Sequence, residues 1–143
     1  MSKKVEDAIR SSFLAFAIKA FAQLYPGKEL VVHPYVKLVA CHLEAVATGE
    51  RRRLVITLPP RHLKTFLASI CLPAWLLAHR PSARILILSY GQELADKIAY
   101  AIREILRSAW FCRLFKARIA RSLLTDFITT ANGCVRSVSI KAA

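Results

Sequence analysis

Residues 53–65, Arg53-Leu54-Val55-Ile56-Thr57-Leu58-Pro59-Pro60-Arg61-His62-Leu63-Lys64-Thr65, limit the fold of this chain more than any other stretch. Leu54 to Leu58 is an apolar, partly β-branched run that predicts a strand. Pro59 and Pro60 end it, because proline has no N–H to give to a ladder. A short basic loop and Lys64-Thr65 follow, and a long apolar helical pattern then runs to His79. The chain must therefore turn sharply from strand to helix. At such a turn the first N–H groups of the helix lack partners within it, and the helix dipole favours an anion.

Strand, loop, Lys-Thr and helix, in that order, make up a phosphate-binding P-loop, G-x-x-x-x-G-K-[ST]. In that motif the lysine is a point charge for the β/γ-phosphates, and the hydroxyl beside it holds Mg²⁺. Laid on Leu58 to Thr65, the pattern puts Leu58 and Leu63 at its two glycine positions. Glycine serves there because the backbone bends freely and approaches phosphate closely. The prolines can set the loop in place of the first glycine; Leu63 needs room for a side chain. The competing reading is an ordinary strand-turn-helix with a surface Lys-Thr.

The 143 residues suit one domain, and 55% hydrophobic content is ample for a core. A formal charge of +13, from 22 Lys+Arg against 9 Asp+Glu, points to nucleic acid or another polyanion. It is equally the charge that would keep an apolar fragment in solution. Cys41, Cys71, Cys112 and Cys134 are widely spaced, with no C-x-x-C pair. Free thiols, with Cys41 and Cys71 buried in helices, are expected rather than zinc or disulfides. Glu6 and Asp7 follow the N-terminal lysines, so no signal peptide is read. Phe66 to Ala78 is too short for a bilayer, which takes about 20 residues. No membrane partner is expected.

Helical spacing of Ile9, Phe13, Phe16, Ala17, Ala20, Phe21 and Leu24 predicts one helix over Val5 to Tyr25, stopped by Pro26-Gly27. A short extended piece, Glu29 to His33, leads to Pro34 and a helix from Tyr35 to Thr48, closed by Gly49. After the loop, Lys64 to His79 is helical, with Pro73 expected to kink it. Arg84 to Tyr90 is a second strand, so residues 54–90 predict a parallel βαβ unit. Gly91 to Ser108 is a helix, and Trp110 to Phe115 a helical turn. Phe127 to Thr130 and Cys134 to Ile140 are strands joined by a hairpin at Asn132-Gly133.

The 53–65 stretch resembles the Walker A region of phage terminase large subunits, which reads apolar strand, Pro-Pro-Arg, His or an aromatic, Gly, Lys, Ser or Thr. Further stretches carry the likeness in order: Leu43-Glu44-Ala45-Val46 with Gly49, Arg84 to Tyr90 followed by Glu93-Leu94-Ala95, and then Arg103, Trp110, Phe115, Thr129-Thr130, Gly133 and Val135 to Val138. They span Val31 to Ile140. The resemblance implies an α/β fold: an incomplete P-loop NTPase of the helicase-like kind, a parallel sheet flanked by helices, with N-terminal helices. It divides the chain into an N-terminal helix, 1–30, and a partial P-loop ATPase domain, 31–143. It implies the ATP-binding part of a viral DNA-packaging motor in the bacterial host cytoplasm. The implied cofactors are ATP and Mg²⁺. The implied partners are double-stranded DNA, a portal and a small terminase subunit, with a homo-oligomeric ring in the intact protein.

Carried onto this sequence, the nucleotide site comprises Pro60, Arg61, His62, Leu63, Lys64 and Thr65. Lys64 would grip the β/γ-phosphates, Thr65 would hold Mg²⁺, and Arg61 would sense the γ-phosphate as a planar, permanently charged fork. No apolar strand in residues 1–143 ends in Asp-Glu; Asp126 follows only Leu123-Leu124-Thr125. Without the Walker B pair and the nuclease carboxylates, the expectation is a part truncated before Walker B and not catalytic alone. Two other readings stand beside it: a basic nucleic-acid-binding module without nucleotide chemistry, and a non-functional prophage remnant. His33 and His42 read as half-buried structural histidines, Arg51 to Arg53 as a solvated turn, and Ser89-Tyr90 as a cap at a strand end. Trp110 and Phe111 read as core.

Overall fold

A computed structural model describes residues 2–142 and breaks the N-terminal apolar pattern into two helices, α1 (Lys3–Ser11) and α2 (Phe13–Leu24). The single helix expected over Val5 to Tyr25 is corrected at Ser12. That residue is extended (φ −123°, ψ 122°), and its hydroxyl accepts the Ala15 N–H at 3.4 Å. Serine's preference for the N-cap prevails over an unbroken apolar period. The Glu44 carboxylate accepts the Phe13 N–H at 3.0 Å, which satisfies a second exposed donor of α2.

The described residues fall into two compact units, within 1–75 and 76–143. In the first, α3 (Pro34–Thr48) starts on proline and stops at Gly49, whose φ of 83° is left-handed. It buries Val36, Val39, Ala40 and Leu43. Cys41 falls off that stripe and is exposed, which corrects the expectation of a buried thiol. Cys71 is buried, and desolvation pushes its thiol well above the ordinary range. The core is aromatic: Trp75 lies edge-on to Phe13 (5.9 Å) and Phe16 (5.3 Å), and Phe21 meets Phe66 at 5.4 Å.

The expected strand at Leu54 to Leu58 does not form. The segment alternates, with Leu54, Ile56 and Leu58 half-buried and Val55 90% exposed, yet it pairs with no strand among the described residues. Its apolar alternation favours an extended course, but a strand also needs a neighbour for its N–H and C=O groups. The βαβ unit predicted across residues 54–90 is absent for the same reason. After the loop, Phe66–Cys71 forms a π-helical segment that runs into α4 (Leu72–His79). The Leu72 N–H bonds Leu67 O, five residues back. The wide turn immediately precedes Pro73, whose ring would clash with the Ser69 carbonyl in a regular α-helix.

The second unit is α/β. Its strands are β1 (Arg84–Ser89), β2 (Ile119–Ser122), β3 (Asp126–Thr129) and β4 (Cys134–Ser139), in the order β1-β4-β3-β2. β1 and β4 are parallel, in register from Arg84↔Cys134 to Ser89↔Ser139. The β3–β4 and β2–β3 pairs are antiparallel, so the sheet is mixed, which corrects the expected parallel sheet: the short Asn132-Gly133 connection can only return the chain antiparallel. Helices α5 (Gln92–Arg107) and α6 (Ala109–Leu114) follow β1. α5 buries Ile98, Ile102 and Ile105 and packs on β1 and β4, with the Ser137 hydroxyl donating to Ala95 O at 2.9 Å. On the other side of β1, Leu86 and Leu88 are 61% and 63% exposed. Among the described residues no helix is long and apolar enough to cross a membrane.

The β3–β4 connection shows why Gly133 is glycine. Asn132, not Gly133, takes the left-handed conformation (φ 61°), and its N–H bonds Thr129 O at 3.1 Å. Gly133 is needed for space: a Cβ there would lie 2.2 Å from Pro81 O and 2.8 Å from Ala83 O. Thr129 ties the same place together. Its hydroxyl donates to Pro81 O at 2.6 Å and accepts the Gly133 N–H at 2.9 Å. Gly133→Ala is expected to cost about 2–3 kcal/mol by overpacking. Thr129→Val is expected to cost about 1–3 kcal/mol by leaving the Gly133 N–H and Pro81 O unmet. Urea unfolding of both variants checks this, and two stabilities within error of the parent would contradict the close approach.

Candidate phosphate-binding loop

Leu58 to Phe66 line a cavity of about 480 Å³, so all six residues of the proposed nucleotide site, Pro60 to Thr65, meet at one place. Pro59 and Pro60 bring the extended segment into the turn, and Lys64 and Thr65 are the first helical residues after it. The Leu67 N–H bonds Leu63 O at 2.9 Å, which closes the first turn on the loop itself.

The backbone of the loop is unusual. Arg61 (φ 63°) and Leu63 (φ 61°) are both left-handed, with His62 between them. Left-handed residues alternating with ordinary ones turn successive N–H groups towards one concavity, a form that favours an anion. Each such non-glycine residue costs of order 1–3 kcal/mol, strain that clusters at ligand sites. Leu63 thus adopts at the second glycine position of the motif the conformation that glycine takes easily. Its side chain is half-buried, which answers where the leucine goes.

Arg61 and Lys64 are exposed, and neither pairs with a carboxylate among the described residues. Their charge is therefore uncompensated next to the helix start. His62 is half-buried, and its Nδ1 lies 2.9 Å from Pro60 O, a contact that braces the turn. Thr65 supplies the one hydroxyl of the loop. Among the described residues no group of three or more His, Cys, Asp or Glu could hold a metal ion. The loop fits Mg²⁺ only as that ion sits beside a phosphate chain, keeping water and phosphate oxygens and taking one hydroxyl from the protein.

Tyr35, on the first turn of α3, also reaches this loop. Its ring stands 5.6 Å from that of His62, tilted by 54°, and stacks on His33 at 5.9 Å and 12°. Helical periodicity gives no notice of it; the one sequence trace is an aromatic beside the Pro34 helix start. His33 is exposed, which corrects the half-buried role expected for it, while His42 is half-buried as read.

Arg51, Arg52 and Arg53 are exposed on an irregular turn. The Ser89 hydroxyl donates to Gly91 O at 3.0 Å, and Tyr90 is exposed under the Lys141 ammonium at 4.6 Å. Asp126 lies on β3 and accepts from Arg136 Nε at 3.1 Å. Arg103 is buried and donates to Leu123 O and Leu124 O, and burial lowers its pKa. Trp110 and Phe111 are buried.

The left-handed backbone at Leu63 can be tested by changing side-chain branching. Leu63→Val is expected to destabilise by about 1–2 kcal/mol, since a β-branched residue tolerates positive φ poorly. Leu63→Gly is expected to stay within about 1 kcal/mol of the parent, because relief of strain offsets lost burial and greater chain freedom. Denaturant melts of the two variants separate these outcomes; equal losses would argue against positive φ.

No protein-family model matches the chain, and no curated protein or solved structure matches it either.

Proposed function

We propose that this chain binds Mg²⁺-ATP through the loop Leu58 to Thr65. On this reading it is the N-terminal part of the P-loop ATPase domain of a phage terminase large subunit, the motor that packs double-stranded DNA. The observation that carries the reading is Leu63. Glycine is the residue the motif places there, and this chain holds a leucine in glycine's conformation, at φ 61°. Backbone strain of this kind clusters at ligand sites. Arg61 and Lys64, exposed and without a carboxylate partner among the described residues, support it, as does the ordered likeness from Val31 to Ile140.

Each residue has a defined part. Loop N–H groups and Lys64 would take the β- and γ-phosphates, Arg61 would reach the γ-phosphate, and the Thr65 hydroxyl would be a ligand of Mg²⁺. When bound, Mg²⁺ would neutralise part of the phosphate charge. DNA, the portal, the small subunit and a ring of copies belong to the same proposal. A second reading, a basic nucleic-acid-binding module, is favoured by the formal charge of +13. It calls for DNA binding that falls steeply with salt and ignores ATP.

Lys64→Ala is expected to weaken Mg²⁺-ATP binding by about 1–3 kcal/mol, the range for a lost charge-assisted contact. Titration calorimetry reads this directly, and equal affinities, or a parent that does not bind, would remove the nucleotide reading. Leu63→Gly is expected to tighten binding, because the loop then reaches the phosphates without strain. Residues 1–143 by themselves are expected to release no phosphate above background, since hydrolysis needs an oriented water as well as phosphate contacts. Phosphate release that tracks the purified chain and is lost in Lys64→Ala would overturn that expectation.

A further inference from the structure

The sheet of the second unit has two edges, and they are built differently. At the β2 edge the strand is four residues long, its pairing with β3 is irregular between Ile119 and Arg121, and Arg121 is exposed. Short length, a break in register and a charge all keep an edge from pairing with another chain. The β1 edge lacks these guards. It runs six residues in unbroken register, its one charge is Arg84 at the start, and Leu86 and Leu88 are 61% and 63% exposed. We propose that β1 is a dimerisation edge, to which the β1 strand of a second copy of this chain adds antiparallel. The proposal is independent of the nucleotide reading.

Backbone geometry restricts the pairing. Ala83 O accepts the Cys134 N–H at 3.0 Å, and Arg84 is the register partner of Cys134. Ala83, Ile85 and Ile87 therefore turn their N–H and C=O groups to β4, and Arg84, Leu86 and Leu88 turn theirs to the free edge. Among the described residues those outward groups bond nothing. In an antiparallel pair, residues that exchange hydrogen bonds stand directly opposite and share a face of the sheet. Outward residues must then meet outward residues. A two-fold register centred on Leu86 sets Arg84 against an apolar Leu88. One centred on Leu88 sets Leu86 against Tyr90. The register centred on Ile87 sets Leu86 against Leu88 of the second copy, in both directions, and Arg84 against Tyr90. It covers both leucines with apolar surface and puts no two cations directly opposite each other.

Such a contact is isologous and closes at two copies, unlike the head-to-tail contact of a ring, and the guarded β2 edge offers no second place for growth. One strand from each copy makes a small interface, below about 1,200 Å², the range of weak contacts. Charge opposes it: each copy carries a formal +13, and Lys141, 4.6 Å over the Tyr90 ring, comes near Arg84 of the second copy. A dissociation constant of about 10–100 µM follows, and it falls as salt screens the repulsion.

Sedimentation velocity on the nuclease-treated full chain, at concentrations spanning that range, tests the proposal. The parent is expected to pass from monomer to dimer, with about twofold or more tighter association at high salt than at low salt. Leu86→Lys/Leu88→Lys sets like charges opposite each other in all of these registers and should give a monomer. Leu86→Glu/Leu88→Lys sets opposite charges face to face only in the register centred on Ile87, and should keep the dimer. Both side chains are exposed, so neither variant disturbs the core. A parent that stays monomeric overturns the proposal. So does a dimer that survives Leu86→Lys/Leu88→Lys, which would place the contact elsewhere, such as on the unpaired segment Leu54 to Leu58. Monomers in both variants overturn the pairing centred on Ile87. Association that weakens with salt would mean bridging by a polyanion, and species that grow past a dimer would mean an open assembly; either result overturns the closed β1 pair.

Discussion

Backbone carbonyls and amides left over at the ends of regular structure need partners, and in this chain side chains supply several of them. Arg103 reaches 20 residues along the chain to the Leu123 and Leu124 carbonyls. Arg118 takes the carbonyls of Phe115, Ala117 and Cys112. Thr129, Ser137 and Ser139 take those of Pro81, Ala95 and Tyr90. These contacts tie helices, strands and loops of the second unit to one another. The close seat of Gly133 against Pro81 and Ala83 belongs to the same system, since the Thr129 hydroxyl serves both sides of it.

This use of side chains changes what the net charge means. In the second unit Arg103 and Arg118 serve backbone carbonyls and Arg136 pairs with Asp126, so part of the formal +13 is committed to structure. At the loop of the first unit Arg61 and Lys64 stand exposed without a carboxylate among the described residues. Overall charge is therefore a poor guide to which cations stay available to an anion. The local contrast between committed and uncommitted cations is a better one.

Helices were legible from residue spacing because burying one stripe is a local matter. Ile98, Ile102 and Ile105 mark α5, and Val36, Val39, Ala40 and Leu43 mark α3, with no knowledge of their neighbours. The run Leu54 to Leu58 reads as a strand by the same kind of pattern and pairs with nothing among the described residues, because a ladder depends on a second segment that a local pattern does not contain. β2, Ile119-Ala120-Arg121-Ser122, is four residues long and too short to show an alternating pattern. At the candidate site the spacing of Lys64 and Thr65 was legible, and the backbone conformation at Leu63 was not. A leucine says nothing of φ, so its left-handed backbone is visible only in three dimensions. Tyr35 escaped notice because its contact with His62 joins residues far apart in the chain.

The π-helical segment Phe66–Cys71 has an effect downstream of the loop. A wide turn of this kind spends one more residue than an α-turn over the same rise, and each residue of an α-helix advances the azimuth by roughly 100°. Everything after Cys71 is therefore rotated about the helix axis relative to a regular continuation. At that setting Trp75 meets Phe13 and Phe16 edge-on. The segment thus acts as a phase adjuster. One continuous helix begins with Lys64 and Thr65 at the loop, changes phase over Phe66–Cys71 and carries Trp75 to its aromatic partners.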